Sequence, residues 1–181
     1  MRAQRALLTA DEQERASRNV YMHVRSAEVY RQAGVVMAYA ATKGELNIDA
    51  LMLDVLECGK TLLLPCCASN GRMTARRVSD ISRLRRGMYG ILEPHEKAEA
   101  FKPRQIDLIL VPGVVFGKNG ERIGQGGGYY DRFLPASQAF LVGVCHGFAL
   151  RDELVQRAHD VRMDAVVTPE RWNDCRMRRM R

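Results

Sequence analysis

Apolar residues recur along this chain in two rhythms, one near 3.6 residues and one of short unbroken runs, and their alternation predicts the elements. Thr9-Ala10-Asp11-Glu12 has the spacing of a capping box, so a helix starts there. Ala16, Val20, Val24 and Ala27 carry its apolar stripe into the mid-twenties. Val35 to Ala41 follows Gly34 as a β-rich run without alternation, the pattern of a strand buried on both faces. Asn47 is placed to cap a further helix in which Ile48, Leu51, Met52, Val55 and Leu56 recur, with Gly59 as its stop. Thr61 to Pro65, Ile106 to Val111, Phe140 to Cys145 and Ala165 to Thr168 read as more buried strands. Met73 to Val78 reads as an edge strand, because Arg76 and Arg77 resist burial. Gly87 to Arg104, with Pro94 and Pro103, reads as a long surface loop. Strands alternating with helical segments predict an α/β fold: a single three-layer, Rossmann-like domain over residues 1–170, with a mainly parallel central sheet and helices on both faces. Residues 171–181 are expected to form a basic C-terminal tail.

Composition narrows the class. The 181 residues, 46% apolar and 27% charged, suit one globular domain. No apolar run approaches the roughly 18 residues that cross a bilayer, and the stretch from Met1 to Asp11 lacks the apolar core of a secretory signal. A cytoplasmic protein with no membrane partner is expected. The net charge of +7 changes meaning when divided: the tail holds five arginines and one aspartate, net +4, which leaves +3 for the first 170 residues. With Trp172 as the tail's only ring, a solvated terminus is expected in preference to a nucleic-acid arm, and the protein is expected to be a monomer. Cys58, Cys66, Cys67, Cys145 and Cys175 form an odd set without a C-x-x-C pair, so free, mostly buried thiols are expected. His23, His95, His146 and His159 do not have the spacing of a metal site.

The chemistry concentrates between Pro112 and Leu134. This stretch leaves the C-terminal end of a buried strand, where ligands bind in open α/β sheets. Gly124, Gly126, Gly127 and Gly128 let the backbone approach a ligand closely, and a helix expected near Tyr129 would add its amides to a phosphate cradle. The spacing is neither G-x-G-x-x-G nor a P-loop, and from glycine content alone a plain tight turn is an equal reading.

Arg122-Ile123-Gly124-Gln125-Gly126-Gly127-Gly128-Tyr129-Tyr130-Asp131-Arg132, preceded by Asp107 to Gly113, resembles the signature of the 5-formyltetrahydrofolate cyclo-ligases, also called 5,10-methenyltetrahydrofolate synthetases. The similarity runs from about Arg5 to Thr168. It implies an enzyme on an α/β fold that closes 5-formyltetrahydrofolate to 5,10-methenyltetrahydrofolate with ATP as co-substrate and Mg²⁺ as cofactor. By position it implies that Arg122 touches the nucleotide phosphates. It also implies that Gln125 to Tyr129 line the meeting place of ATP and folate, that Arg122 and Tyr129 serve catalysis, and that Glu45, with Ala40 nearby, binds the folate. Asp131 and Asp160 would be the magnesium ligands, in keeping with an ion usually held by one or two carboxylates plus phosphate oxygens. On the residues alone, Asp131 reads as an acid of a first helical turn and Asp160 as a surface acid. Tyr129 and Tyr130 would wall the folate, or one of them would pack beneath the loop.

Three departures accompany the resemblance. The family usually begins with a Lys-x-x-x-Arg motif, and aligning Arg5-Ala6-Leu7 leaves no residues for it here. Gln125 stands where a basic residue is common, and Gly117 where Asp is frequent. The alternative these departures raise is a catalytically weakened folate- or nucleotide-binding protein of the same fold, with Arg2, Arg5 and Lys118 as candidates for compensation.

Overall fold

The computed structural model describes residues 2–155 and 160–176. His159 and the tail from Met177 to Arg181 lie outside them. Helices α1 (Arg2–Ala6), α2 (Ala10–Ser26) and α3 (Glu28–Gln32) open the chain, α4 (Asp49–Glu57) follows the first strand, and α5 (Tyr129–Phe133) is one turn long. The capping box forms as its spacing predicts: the Glu12 amide donates to Thr9 Oγ1 at 3.2 Å, and the Thr9 amide donates to Glu12 Oε2 at 2.8 Å. Asn47 sits one residue too early to be the cap of α4. Ile48 holds that position, and Asn47 accepts the Asp49 amide at 2.7 Å instead. Gly59 ends α4 as expected, at φ +70°, with the Gly59 and Lys60 amides returning to the Leu56 and Val55 carbonyls.

The main sheet has eight strands, here numbered in chain order: β1 (Val35–Met37), β2 (Thr61–Cys67), β3 (Met73–Val78), β4 (Ala100–Phe101), β5 (Leu108–Pro112), β6 (Phe140–Val144), β7 (Ala165–Val167) and β8 (Trp172–Asp174). Their order is β8-β7-β6-β5-β1-β2-β3-β4. The five strands from β7 to β2 are mutually parallel, and β8, β3 and β4 add antiparallel margins. The parallel centre is as expected, while the Rossmann likeness is loose. One face is covered by α2, α3 and α4 through Val20, Val24, Tyr30, Leu51 and Val55. The other carries α5, the turn after it and a small sheet of Val115–Gly117, Arg122–Ile123 and Leu150–Arg151, with Phe116, Phe133 and Met163 at its centre.

Four expectations change. The run from Val35 to Ala41 is strand only to Met37, after which the chain turns into the site. β3 is not the edge, because the two residues of β4 cover it; Arg76 reaches the Ala98 carbonyl at 2.6 Å and Arg77 pairs with Glu99 at 3.3 Å. The span 87–104 is not one loop, since it contains β4 and Leu92–Glu93, the latter paired with Arg85–Arg86. Finally, residues 172–174 of the expected tail are β8, paired with β7, and Cys175 behind them is buried, so the domain runs past residue 170. The apolar alternation there is too short to stand out among arginines.

Asp54 ties the three helices of one face together. Its buried carboxylate accepts from Tyr21 at 3.0 Å and Tyr30 at 2.5 Å and pairs with Arg25 at 3.0 Å. Burial pushes its pKa up, but the two phenols and Arg25 outweigh this, and the group sits below its ordinary value. A depressed carboxylate stabilises the fold above its unfolded pKa of about 4, and that contribution is lost as pH falls through the lower folded value. Asp54→Ala leaves the phenols without their acceptor and should cost about 3 kcal/mol. Chemical denaturation from pH 7 to pH 2 checks this: the wild type should lose its advantage over the variant below about pH 4, and a constant gap would contradict the assignment.

Candidate active site

The parallel strands β1, β2, β5 and β6 deliver their C-terminal ends to one rim, and the loops that leave them build the site. The stretch after β5 runs through Val115–Gly117 and Arg122–Ile123 into the glycine loop, then into α5. Of its glycines, Gly126 (φ +92°) and Gly128 (φ +66°) need the left-handed region. Gly124 and Gly127 do not, but a Cβ at Gly124 would meet Arg122 at 2.7 Å, and one at Gly127 would meet the Tyr129 ring at 3.0 Å. A Cβ at Gly126 would face open space. Because α5 is a single turn, any anion held here rests on loop amides and arginines more than on a helix dipole.

Arginines fix this loop from two sides. Arg132 donates to the Gly127 carbonyl at 2.7 Å and to the Gly71 carbonyl in the β2–β3 turn at 2.9 Å, and lies over the Tyr129 ring. Arg122, with a side chain only 5% exposed, pairs with Asp131 and stands 5.6 Å from the centre of the Tyr130 ring. The Tyr129 hydroxyl reaches the Ala68 carbonyl and the Tyr89 hydroxyl, both at 3.1 Å. That bond with Tyr89, with lesser contributions from desolvation and the Tyr89 charge, pushes the Tyr129 phenol up to about 12. Tyr89, 73% exposed, holds a left-handed backbone at φ +62°, uncommon outside glycine.

The loop after β1 faces the glycine loop. Glu45 accepts the Thr42 amide at 2.8 Å with one oxygen and the Gln125 side-chain amide at 2.8 Å with the other. The loop after β1 and the glycine loop are thus joined directly. Ala40 is buried near the start of the same loop, one residue after Tyr39, whose hydroxyl donates to the Leu46 carbonyl at 2.9 Å. Arg5 of α1 enters from the third side: it donates to the Gly113 carbonyl at 2.9 Å and packs against Gly44. Among the described residues it has no carboxylate partner. Burial pushes the Tyr39 and Tyr130 phenols well above their ordinary value, with the Glu45 charge adding to it.

Sequence reasoning left Arg5, Arg2 and Lys118 equal as possible compensating charges. Arg5 reaches the site, whereas Lys118 pairs with Asp152. Tyr89 carried no signal, being one aromatic residue in a polar segment without periodicity. The glycine at 117, where the family often has Asp, has a local reason, because a Cβ there would land on the carboxylate of Glu121. Asp131 is in the loop cluster and 40% exposed, while Asp160 is half-buried beyond residue 159. Among the described residues no three His, Cys, Asp or Glu side chains gather as a metal cluster. Of the five cysteines only Cys145 and Cys175 are buried, while Cys66 and Cys67 are half-buried and Cys58 is exposed. Burial pushes Cys66 and Cys67 up to about 11 and Cys145 up to about 12, which leaves them poor nucleophiles near neutrality. No helix of the described residues is long and apolar enough to cross a membrane.

Comparison with known proteins matches residues 1–169 to the model of the 5-formyltetrahydrofolate cyclo-ligase family. A 5-formyltetrahydrofolate cyclo-ligase of Mycolicibacterium smegmatis is 33% identical over 75% of this chain and 74% of its own. The 5-formyltetrahydrofolate cyclo-ligase of Escherichia coli K12 is 28% identical over 94% of this chain and 97% of its own. Among solved structures, the 5,10-methenyltetrahydrofolate synthetase of Aquifex aeolicus superposes with a TM-score of 0.86 at 33% identity, covering 97% of this chain and 89% of that one. The fold and these matches lead to one conclusion: the chain belongs to the 5-formyltetrahydrofolate cyclo-ligase family.

Proposed function

We propose that this chain converts 5-formyltetrahydrofolate to 5,10-methenyltetrahydrofolate, consuming ATP with Mg²⁺ and releasing ADP and phosphate. The observation that carries the reading is the Glu45–Gln125 hydrogen bond, which brings the loop assigned to folate against the loop assigned to ATP at the strand ends. The formyl carbon is amide-like, and its oxygen cannot leave as hydroxide. Transfer of the γ-phosphoryl group to that oxygen makes an O–P bond as ADP departs. N10 then attacks the carbon and gives up its proton, and the C–O bond breaks with phosphate as leaving group. No protein nucleophile is needed, in keeping with burial that raises the thiols of Cys66, Cys67 and Cys145.

The protein's work in such a transfer is positioning and charge stabilisation. Glu45 offers a carboxylate to the amino and ring N–H groups of the pterin, taking them in place of Gln125. Tyr129, braced by Tyr89 and Ala68, gives the folate an aromatic wall. The loop from Gly124 through Gln125, Gly126 and Gly127 to Gly128 would offer its amides to phosphate oxygens, with open space at Gly126 and with Arg5, at the Gly113 carbonyl, as a further cation for the nucleotide. Arg122 orders Asp131, so its charge reaches the nucleotide together with that carboxylate. Asp131, an exposed hard oxygen donor, fits Mg²⁺ shared with phosphates, and Asp160 is the second carboxylate proposed. When bound, the ion would neutralise charge on the phosphates.

Purified protein given ATP, Mg²⁺ and 5-formyltetrahydrofolate should develop the ultraviolet absorbance of the methenyl product. Folate binding without any absorbance change at high enzyme concentration would instead support a weakened binding protein. Asp131→Asn and Asp160→Asn should each lower turnover and raise the Mg²⁺ concentration needed for half-maximal rate, with excess Mg²⁺ restoring part of it. Since Asp131→Asn also strips buried Arg122 of its partner, the magnesium rescue decides, and the loss of rate alone does not. The double variant should lose less than the product of the single effects. Multiplicative losses without rescue would remove Asp160 from the site.

A further inference from the structure

The loop after β1, which carries Glu45, and the stretch after β5, which leads into the glycine loop, are joined by the Gln125–Glu45 hydrogen bond and a second time through Arg5, a residue of neither segment. Arg5 Nη2 donates to the Gly113 carbonyl at 2.9 Å and to the Val114 carbonyl at 3.4 Å. Its stem fills the place where a side chain on Gly44 would begin, with Cδ 3.1 Å and Cβ 3.2 Å from that point. Gly44 admits the stem because it has no Cβ. It holds φ at +86° in the turn where the Glu45 amide donates to the Thr42 carbonyl at 2.9 Å. A shift of the Arg5 stem is therefore passed to Glu45 through a single peptide bond.

These two connections do not survive ligand binding equally. In the reading above, the pterin takes the Glu45 carboxylate from Gln125, which removes the first. Arg5 stays, since its contacts on both sides are to backbone. Its guanidinium also has a bond to gain: Nε is buried and without an acceptor among the described residues, an arrangement that costs stability until one arrives. A nucleotide phosphate at the end of β5 brings an anionic acceptor, and fixing the guanidinium there fixes the stem against Gly44. We propose that Arg5 is a positioning residue that couples the two substrates: nucleotide at the glycine loop holds Glu45 ready for the folate, and folate in turn tightens the nucleotide site. This rests on the reading that ATP and folate occupy these two loops, and adds to it the element through which each responds to the other.

β,γ-Methylene-ATP with Mg²⁺ prevents turnover and leaves binding measurable by calorimetry. In the wild type, saturating nucleotide should lower the dissociation constant of 5-formyltetrahydrofolate about fivefold or more, and saturating folate should lower the nucleotide's by the same factor, as linkage requires. Arg5→Met keeps the stem and loses the donors. Its coupling factor should drop to about one in both directions, while its affinity for folate alone stays within about twofold of wild type. Arg5→Lys, which has a charge but no fork to span two carbonyls, should fall between them and decides the matter should Arg5→Met not fold. A wild type without coupling, or wild-type coupling retained in either variant, overturns the proposal. Weaker nucleotide binding with that factor intact would make Arg5 a phosphate contact only. Equal losses for both ligands, with the factor intact and a lower melting temperature, would make it packing only; either result overturns the assignment. A wild type that shows the coupling but forms no methenyl product fails the catalytic reading and leaves this one standing, and one that binds no folate overturns both.

Discussion

The carbonyls at the end of the central strand β5 hold the site together. That strand is flanked by β1 and β6, so its last residues cannot shift without disturbing the middle of the sheet. Beyond it, the Gly113 carbonyl takes Arg5 from the N-terminal helix, and the neighbouring backbone lies against Arg122 from the returning hairpin. Two cations far apart in the sequence, Arg5 and Arg122, are thereby fixed against one rigid point. The glycine at 113 is required by this crowding, since any side chain there would strike the Phe116 ring.

From that point charge is distributed unevenly. Arg122 is compensated by Asp131, and Arg132 spends its donors on the carbonyls of Gly71 and Gly127. Neither Arg132 nor Arg5 has a carboxylate partner among the described residues, and of the two it is Arg5 that also keeps a buried nitrogen, Nε, without an acceptor. A phosphate entering beside it would meet a cation already desolvated on one side and held in place, so little conformational entropy remains to be lost on binding. The glycine loop is likewise ordered before any ligand arrives, through the tether from Arg132 to the β2–β3 turn.

Much of the fold was legible because burial leaves a periodic trace. Val35, Leu62, Ile109 and Val142 lie in runs that only a two-sided buried strand explains, and Thr9 with Glu12 marked the start of α2 to the residue. What periodicity missed were elements of two or three residues: Ala100–Phe101 and Trp172–Asp174 are too short to repeat anything, and the sheet's margins were misplaced for that reason. In the site, the glycine loop and Glu45 were visible through their resemblance to a family. Arg5 could not be told from Arg2 and Lys118, and Tyr89 gave no signal, because their roles depend on contacts across 108 and 40 positions. A sequence pattern registers neighbours along the chain, and these are neighbours only in space.

Gly117 and Glu121 show how such spatial pairs constrain change over time. The Glu121 carboxylate occupies the volume in which a side chain at 117 would begin, while its other oxygen is held by Arg162 at 3.0 Å. Any side chain at 117 would have to displace that carboxylate and loosen its pair with Arg162, so a change at Gly117 is felt first at Glu121 and through it at Arg162, 45 positions away.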